Sequence, residues 1–231
     1  MTRARFYLDY ISSNAYLLWT QVPRLEERYG VRFEPVPVLF AGLLEAHGQL
    51  GPAEVPPKIL WMVKNNLRKA AVLGVPLEPP RFHPFNPLLS LRVSSLSLEA
   101  EPLADLVGAL FRAVWVEGRH VSEPAVVEAI ANEVGLDGPS LVAQAGKLET
   151  KDRLRRQTDD AIAAGVFGVP TVGIGDELFW GFDDLPWLER FLAEDDPLDR
   201  DAMAERWSTP RPRSAQRRRA AAGTRSSRSS P

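Results

Sequence analysis

The order of strand-like and helix-like segments constrains this chain more than any single residue does. Alternating aromatic and branched residues over 5–11 predict a short buried strand, because this pattern fits a pleated surface. Apolar residues at helical spacing then follow as far as Gly30, and Pro23 is expected to kink this helix or to break one turn. A second alternating segment over 31–40 predicts another strand. The chain therefore begins with a β-α-β unit.

A block of helices is predicted to follow this unit. Apolar residues recur at helical spacing over 58–73, 88–96, 102–115, 123–134 and 140–164. Four prolines within 78–87 predict a loop there, because proline has no backbone N–H group to donate. Ser122 is expected to be the N-cap of the helix over 123–134, with Pro124 in its first turn. The middle of the chain is thus predicted to contain helices and loops only.

The strand pattern returns near residue 171. Segments 171–174 and 177–180 flank a Gly-Asp turn and predict a β-hairpin. Asp183 or Asp184 is expected to cap a last helix over 185–192. A hairpin that comes so long after a β-α-β unit, with helices between, most simply completes the same sheet. The predicted fold class is α/β, a thioredoxin-like fold with a large helical insertion.

The net charge of −2 combines two unlike parts. Seven arginines and no acidic residue lie after position 210, which leaves −9 on the first 210 residues. This arginine-rich end cannot bury enough apolar surface to offset the entropy of ordering. Arg217–Arg219 could contact nucleic acid or another acidic surface, but we expect a solvated tail without nucleic-acid contact, because no aromatic residues are interleaved. The expected division is a thioredoxin-like domain over 1–42 and 146–198, a helical insertion over 43–145 and a basic, disordered tail over 199–231.

The chain contains no cysteine, and this excludes several kinds of chemistry. A disulfide, a thiolate zinc site, an iron–sulfur cluster and a cysteine nucleophile cannot be built from its side chains. Three widely spaced histidines give no reason to expect a metal site. No apolar run reaches the ~18 residues that span a bilayer, and the N-terminal segment lacks the apolar core of a signal peptide. We therefore expect a cytoplasmic protein that makes no membrane contact.

Five segments, in order, resemble one family. Residues 9–17 read DYISSNAYL and resemble the pattern D-[FY]-x-S-P-[YF]-x-[YW]-L; residues 165–171 read GVFGVPT and resemble G-V-x-G-V-P-T. Residues 179–185 read FWGFDDL and resemble F-x-G-[SQ]-D-R-L, and segments 35–43 and 83–88 match as well. The family is that of the 2-hydroxychromene-2-carboxylate isomerases, which have a DsbA-like thioredoxin fold and are related to the kappa-class glutathione transferases. The resemblance covers about residues 5–192.

The resemblance implies a glutathione-dependent isomerase that acts on 2-hydroxychromene-2-carboxylate or a similar intermediate of aromatic catabolism. Thioredoxins place a cysteine at the N-terminus of their first helix, where free N–H groups and the helix dipole favour an anion. Ser12 holds that position here, so the resemblance implies that glutathione supplies the thiol and that Ser12 is catalytic, donating a hydrogen bond to its sulfur. An ordinary N-cap is the alternative role for Ser12. Ser13 is the alternative source of the working hydroxyl.

The resemblance also implies the other contacts of the site. The Val169–Pro170 bond is expected to be cis, so that the Val169 backbone can pair with glutathione as a short added strand. Asp183 is expected to hold the γ-glutamyl ammonium group, although an ordinary helix cap is the alternative. The implied glutathione-binding residues are Gln49, Lys58, Val169, Pro170, Phe182, Asp183 and Asp184. The implied residues for the aromatic substrate are Phe40, Trp61 and Asn86.

Three residues depart from the family pattern. Ser13 and Asn14 replace the usual proline and aromatic residue, and Asp184 replaces the usual arginine. Loss of the proline loosens the turn that presents Ser12, and loss of the aromatic ring alters the pocket wall. A kappa-like glutathione transferase or peroxidase and a non-catalytic thioredoxin-fold binding module therefore stay open as alternatives. The family expectation for assembly is a homodimer.

Overall fold

One mixed sheet organises the protein. A computed structural model describes residues 2–206. Within this range, four strands form a sheet in the order β2-β1-β3-β4: β1 is Thr2–Leu8, β2 is Val31–Pro37, β3 is Thr171–Ile174 and β4 is Glu177–Trp180. β1 pairs in parallel with β2 and antiparallel with β3, and β3 pairs antiparallel with β4. The hairpin thus completes the sheet begun by the β-α-β unit, as predicted.

Helices occupy most of the remaining described chain. Within the described residues, two short 3₁₀ helices cover Pro52–Glu54 and Phe182–Asp184. Across residues 2–206 the α-helices are α1 Ser13–Trp19, α2 Val22–Tyr29, α3 Phe40–His47, α4 Pro56–Leu73, α5 Leu88–Ser94, α6 Ala100–Trp115, α7 Pro124–Glu133, α8 Gly138–Ala145, α9 Leu148–Ala163, α10 Leu185–Leu192 and α11 Arg200–Arg206. Helices α3 to α8 lie in sequence between β2 and α9. The predicted α/β class, a thioredoxin-like fold with a large helical insertion, is confirmed.

The helix predicted after β1 is two helices. α1 ends at Trp19 and α2 begins at Val22, so the chain breaks rather than kinks, and it does so before Pro23. Pro23 lies in the first turn of α2, where its missing N–H group leaves no hydrogen bond unmade. Gly30 ends α2 with a φ of 62°, a conformation that glycine adopts without strain.

Other predicted boundaries are wrong. The strand predicted over 31–40 ends at Pro37, and Phe40 instead begins α3, a helix that the sequence pattern did not indicate. The helix predicted over 140–164 is two helices, α8 and α9. The break is stabilised by Thr150, whose hydroxyl donates to the Gln144 carbonyl at 2.8 Å near the end of α8. The same carbonyl also accepts from the Lys147 N–H at 3.0 Å, so the end of α8 is paired without a continuous helix.

One predicted helix cap is wrong, and another holds its predicted position without making a cap bond. Glu123, not Ser122, is the N-cap of α7, and the Ser122 hydroxyl donates to the Asn86 carbonyl at 2.8 Å. Asp184 occupies the N-cap position of α10 but makes no side-chain cap bond. Its Oδ2 accepts from the Trp180 N–H at 2.8 Å instead. Asp184 therefore stabilises the end of β4 rather than the start of α10.

The hydrophobic core joins the sheet to the inserted helices. One cluster of buried apolar residues contains Phe6 and Leu8 of β1 together with Leu110 and Phe111 of α6. Tyr10, just after β1, lies within it, with its ring centroid 4.9 Å from that of Phe111. The predicted domain boundaries at 42/43 and 145/146 stay predictions, and this core extends across both of them.

The end of the described chain differs from its predicted form. Arg200–Arg206 form α11, although 199–231 was predicted to be a disordered tail. The Arg200 guanidinium pairs with Glu177 of β4 and lies 5.8 Å from the Phe191 ring centroid. These contacts explain why this part of the segment takes up a helix. Residues 207–231, with Arg217–Arg219, lie outside the described residues. No helix within 2–206 is long and apolar enough to cross a membrane.

Candidate active site

Ser12 lies where β1 gives way to α1. It is the N-cap of α1, with φ −96° and ψ 111°, and its Oγ accepts from the Ala15 N–H at 3.2 Å. The same hydroxyl donates to the Val169 carbonyl at 3.3 Å. Ser12 is thus a helix cap and also a bridge to a loop 157 residues away in sequence. Ser12 is therefore an N-cap, the alternative role named above, and its catalytic role stays a prediction.

The loop beside Ser12 contains a cis proline. The Val169–Pro170 peptide bond is cis, as the resemblance implied. Hydrogen bonds fix the loop on both sides: Thr171 Oγ1 donates to the Gly168 carbonyl at 2.7 Å, and Gly181 N donates to the Pro170 carbonyl at 2.8 Å. The Val169 backbone and the Ser12 hydroxyl are thereby held next to each other.

A buried carboxylate supports this junction. Asp9 is 1% exposed, and its two oxygens accept from the Ile11 N–H at 3.1 Å and from the Phe40 N–H at 3.0 Å. These bonds tie the turn before Ser12 to the start of α3. Burial raises the pKa of Asp9 to about 7, because the two N–H groups only partly offset the loss of hydration. Asp9 is the first residue of the DYISSNAYL segment, and an acid at the end of a buried strand is a signal of this role that the sequence itself contains.

Ser13 is held by a different partner. Its Oγ accepts from Nδ2 of Asn66 in α4 at 2.6 Å. Asn66 is 2% exposed, and its Oδ1 has no hydrogen-bond partner within the described residues. Ser12 has the hydroxyl that bonds to the Val169 carbonyl, whereas the Ser13 oxygen accepts from Asn66.

A lysine that the sequence analysis missed contacts Asp183. Lys69 Nζ lies 2.9 Å from Oδ1 and 3.0 Å from Oδ2 of Asp183, and it donates to Asn14 Oδ1 at 3.1 Å. The ammonium group also lies 5.2 Å from the Phe182 ring centroid. Asp183 is therefore half of an ion pair that joins the 3₁₀ turn after β4 to both α1 and α4. Nothing in the helical periodicity of α4 distinguishes Lys69 from its other lysines.

An apolar cavity of about 190 Å³ borders the same region. Its walls include Ser13, Met62, Val63, Asn66, His83 and Trp115. His83 Nε2 lies 3.0 Å from the Ile11 carbonyl, so this nitrogen carries the proton and donates. An apolar cavity of ~150 Å³ is large enough for benzene. The cavity therefore has room for an aromatic ring next to α1.

A larger and more open cavity lies elsewhere. Its volume is about 490 Å³, and its walls include Thr2, Ile174 and Phe191. It is bordered by the start of β1, the end of β3 and the residues after α10, whereas Ser12 follows the other end of β1. We therefore assign the candidate site to the smaller cavity, which Ser13 of α1 borders.

The structure brings together some of the predicted site residues. Ser12 lies next to Val169 and Pro170. Lys69 contacts Asp183 and Phe182 on one side and Asn14 of α1 on the other. Asp184 is bound to the β4 backbone, as described above. The Phe40 side chain packs, partly buried, against a second apolar cluster, while its N–H group binds Asp9.

Four predicted residues lie apart from this group. Gln49, Lys58 and Asn86 are exposed, and the Trp61 side chain is 61% exposed on α4. Asn86 Oδ1 accepts from the Leu88 N–H at 3.0 Å and thereby shapes its own loop. No hydrogen bond or ion pair in the described part of the chain links these four residues to Ser12.

Comparison with known proteins places this arrangement in a family. Residues 4–193 match the family described as the DSBA-like thioredoxin domain. A 2-hydroxychromene-2-carboxylate isomerase of Sphingobium xenophagum is 30% identical over 192 residues, which cover 82% of this chain and 97% of that protein. The enzyme of the same name from Pseudomonas putida is 28% identical, covering 80% of this chain and 91% of that one. Glutathione S-transferase kappa 2 of Caenorhabditis elegans is 26% identical, covering 82% of this chain and 91% of that protein.

The solved structures agree with the sequence relatives. The structure of a 2-hydroxychromene-2-carboxylate isomerase superposes with a TM-score of 0.77 at 25% identity, covering 90% of this chain and all of that one. A putative protein disulfide isomerase from Nitrosomonas europaea, at 17% identity and a TM-score of 0.62 over 84% of this chain and 96% of that one, shares the fold. The chain therefore belongs to the DSBA-like thioredoxin family and, within it, to the family of the 2-hydroxychromene-2-carboxylate isomerases.

Proposed function

We propose that this protein is a glutathione-dependent isomerase of 2-hydroxychromene-2-carboxylate or of a similar intermediate of aromatic catabolism. One observation carries the proposal: in a chain without cysteine, the Ser12 hydroxyl caps the first helix and lies 3.3 Å from the Val169 carbonyl. A thiol needed at this position must come from outside the chain. The relatives named as 2-hydroxychromene-2-carboxylate isomerases and kappa glutathione transferases support both the reaction and the source of the thiol.

Ser12 is suited to stabilise a bound thiolate. Its Oγ accepts from the Ala15 N–H, which polarises the hydroxyl and strengthens it as a donor. The bond to the Val169 carbonyl is long, at 3.3 Å, so little is lost when the hydroxyl turns towards a sulfur atom. A hydrogen bond to the charged form lowers the pKa of the thiol.

The described residues fit glutathione at several points. The Val169 backbone offers edge hydrogen bonding to the cysteinyl part, and Asp183 offers a carboxylate to the γ-glutamyl ammonium. Gln49 and Lys58, both exposed, are proposed to contact the remainder of the peptide. When bound, glutathione supplies a thiolate that adds reversibly to a conjugated substrate and so permits rotation about one of its bonds. The chain contributes the binding, the orientation and the stabilisation of charge.

The aromatic part of the substrate is proposed to occupy the cavity of about 190 Å³. Trp61 is exposed on α4 and does not border this cavity, so its contact with the ring stays a proposal. Phe40 and Asn86 stay proposals for the outer part of the substrate site.

The proposed setting of the protein is a cytoplasmic homodimer. Several large apolar side chains of α4 are exposed, among them Leu60, Trp61 and Val72. Burial of such side chains against a second copy would be favourable. Sedimentation of the protein at micromolar concentration tests the proposed homodimer, and a monomer would contradict that assembly.

Two serine variants test the central proposal. In Ser12→Ala, we expect kcat for the isomerisation to fall on the order of 10- to 100-fold, the usual effect of losing a hydrogen bond to a charged group. The pKa of bound glutathione should return towards that of a free thiol, about 8.5, as followed by the ultraviolet absorbance of the thiolate. Ser13→Ala is the matched control and should change neither quantity by as much. An unchanged kcat and thiol pKa in Ser12→Ala would contradict the role of Ser12.

A kappa-like transferase or peroxidase is the second candidate, because a kappa glutathione transferase is 26% identical. Comparing kcat/KM for a chlorinated aromatic and for a chromene acid distinguishes the two enzymes, and we expect the chromene acid to be preferred. A non-catalytic binding module, raised by the Ser13-Asn14 departures, is tested by calorimetry. Absence of heat with millimolar glutathione would favour it over both enzymes.

A further inference from the structure

The apolar cavity of about 190 Å³ contains a polar pair whose hydrogen bonding is incomplete. Ser13 and Asn66 both border the cavity, and Asn66 Nδ2 donates to Ser13 Oγ at 2.6 Å. Asn66 is 2% exposed, and its Oδ1 has no hydrogen-bond partner among residues 2–206. A buried acceptor without a partner is costly, because it has lost its hydration and gained nothing in return. A bound donor would remove this cost.

The Ser13 hydroxyl has unused capacity as well. A hydroxyl has one donor and two acceptor sites, and here its oxygen accepts from Asn66 while no residue of the described chain accepts its proton. The pair thus offers a free donor on Ser13 beside a free acceptor on Asn66. The proline that the family pattern has at position 13 carries no hydroxyl. The pair is therefore a feature of this sequence and not of the family pattern.

The rest of the cavity wall favours an aromatic ring. Its apolar members include Met62, Val63, Leu77 and Trp115. The indole N–H of Trp115 is already used, since it donates to the Tyr10 carbonyl at 3.0 Å. An apolar enclosure with a few placed polar groups is typical of a site for a small apolar ligand with a polar substituent. Here the substituent must suit a free donor and a free acceptor together.

We propose that this cavity binds an aromatic ring that carries a hydroxyl group, and that Ser13 and Asn66 together bind that hydroxyl. The ligand hydroxyl donates to Asn66 Oδ1 and accepts from the Ser13 hydroxyl. Because a hydroxyl both donates and accepts, it also fits the pair when the Asn66 amide turns by 180° and its Nδ2 and Oδ1 exchange places. A methyl group at the same place on the ring leaves the free donor and the free acceptor unpaired.

This inference deepens the proposed function, on which it rests for the identity of the natural ligand. When the pyran ring of a 2-hydroxychromene opens, the bond between C2 and the ring oxygen breaks, and the ring oxygen keeps the electron pair. It takes up a proton and becomes a phenolic hydroxyl, while the C2 hydroxyl loses a proton and becomes a ketone. Ser13 and Asn66 bind this neutral hydroxyl, whose hydrogen bonds are weaker than one to a thiolate. Loss of Ser13 should therefore reduce turnover less than loss of Ser12.

Titration with phenol and with toluene, which differ only by a hydroxyl against a methyl group, tests the proposal. Binding is followed by NMR through the methyl resonances of Met62 and Val63, which an aromatic ring inside the cavity would shift. A wholly apolar cavity should bind toluene on the order of 10-fold more tightly, because the buried hydroxyl of phenol would be unpaired. The natural protein should instead bind phenol at least as tightly as toluene. A ~10-fold preference for toluene would overturn the inference.

Two variants of α4 assign the preference to its source. Asn66→Leu replaces the amide by an apolar side chain of similar size, and the ratio of the two affinities should move towards toluene on the order of 10-fold. Asn65→Leu is the matched control, because it makes the same change at the neighbouring position, which does not border the cavity. It should keep the natural ratio. An unchanged ratio in Asn66→Leu would overturn the inference, and the natural protein alone decides the test if this variant does not fold.

The outcomes separate this inference from the proposed function, which turnover of the chromene acid with glutathione measures in parallel. If the natural protein turns over this substrate but prefers toluene as Asn66→Leu does, the inference is overturned and the proposed function stands. If it prefers phenol but turns over no chromene acid, the hydroxyl site stands and the proposed function fails. If neither ligand shifts the methyl resonances, the cavity admits no ring and the inference is overturned whatever the turnover.

Discussion

At the residue scale, Asp9 holds two segments of the site together at a free-energy cost that depends on pH. Burial raises the pKa of Asp9 to about 7 in the folded protein, against about 3.9 for an exposed aspartate. The folded protein therefore favours the protonated form of Asp9. The contribution of this protonated form to the unfolding free energy is complete below the pKa of Asp9 in the unfolded chain, and it is lost as the pH rises through 7. The difference corresponds to about 4 kcal/mol of unfolding free energy.

We predict that Asp9→Asn removes this pH dependence. Between pH 4 and pH 8, the unfolding free energy of the natural protein should fall by about 4 kcal/mol more than that of the variant. At pH 4 the variant should be less stable by about 1–2 kcal/mol, because one half of the amide faces an N–H group it cannot accept from. Urea denaturation across this pH range measures both quantities. Parallel stability curves for the two proteins would contradict the burial of a charge at this position.

Sequence reasoning found the parts of the site that lie within contiguous motifs. Ser12 and the cis bond before Pro170 both belong to such motifs. In the folded protein, Ser12 lies beside the loop that contains this bond. Lys69 and Asn66 were not found, because both come from α4 and their contacts join residues 53 or more apart. Helical periodicity shows which face of α4 is apolar, but it cannot show which polar side chains turn inwards to meet α1.

At the element scale, the helices are predictable but their ends depend on tertiary contacts. α3 was missed because the alternating pattern continues to Phe40 and no side-chain cap marks the start of the helix. The Leu39 N–H group is instead satisfied by Thr158 of α9, at 3.0 Å. The break between α8 and α9 is likewise set by Thr150 and Gln144, as described above. Such contacts form only once the elements have assembled.

The packing of α7 against α8 gives an element-scale prediction. A Cβ atom on Gly138, at the start of α8, would lie 2.2 Å from the Glu128 carbonyl oxygen of α7, and a backbone atom cannot turn aside. We expect Gly138→Ala to lower the unfolding free energy by at least about 2 kcal/mol. Urea denaturation followed by circular dichroism measures this loss.

Gly146→Ala is the matched control. Gly146 has a right-handed helical backbone conformation with φ −74°, and a Cβ atom added to it would lie 3.4 Å from the Ala143 carbonyl oxygen, an ordinary van der Waals distance. Its unfolding free energy should stay within about 0.5 kcal/mol of the natural value or rise slightly. Equal effects of the two substitutions would show that the helices can separate at Gly138 without loss.

At the scale of the whole molecule, the inserted helices and the sheet share their interior. Phe111 of α6 packs its ring against Tyr10, Tyr16 and Trp19, with centroids 4.9, 6.5 and 6.4 Å away. Trp115 of the same helix donates from Nε1 to the Tyr10 carbonyl at 3.0 Å. Neither part can unfold without exposing apolar surface of the other, so the division of the sequence into two units does not imply two independent folding units.

We therefore predict one cooperative unfolding transition for the described fold. Tryptophan fluorescence and far-ultraviolet circular dichroism should give coincident thermal curves, and the calorimetric and van't Hoff enthalpies should agree. Phe111→Leu should lower the midpoint of both curves equally, because the ring that it removes is packed between α6 and the β1–α1 region. Two separate transitions, with only one moved by Phe111→Leu, would contradict a shared core. In that case the boundaries at 42/43 and 145/146 would mark independently stable units, and the site would take Ser12 and Val169 from one unit and the cavity residues of α4 from the other.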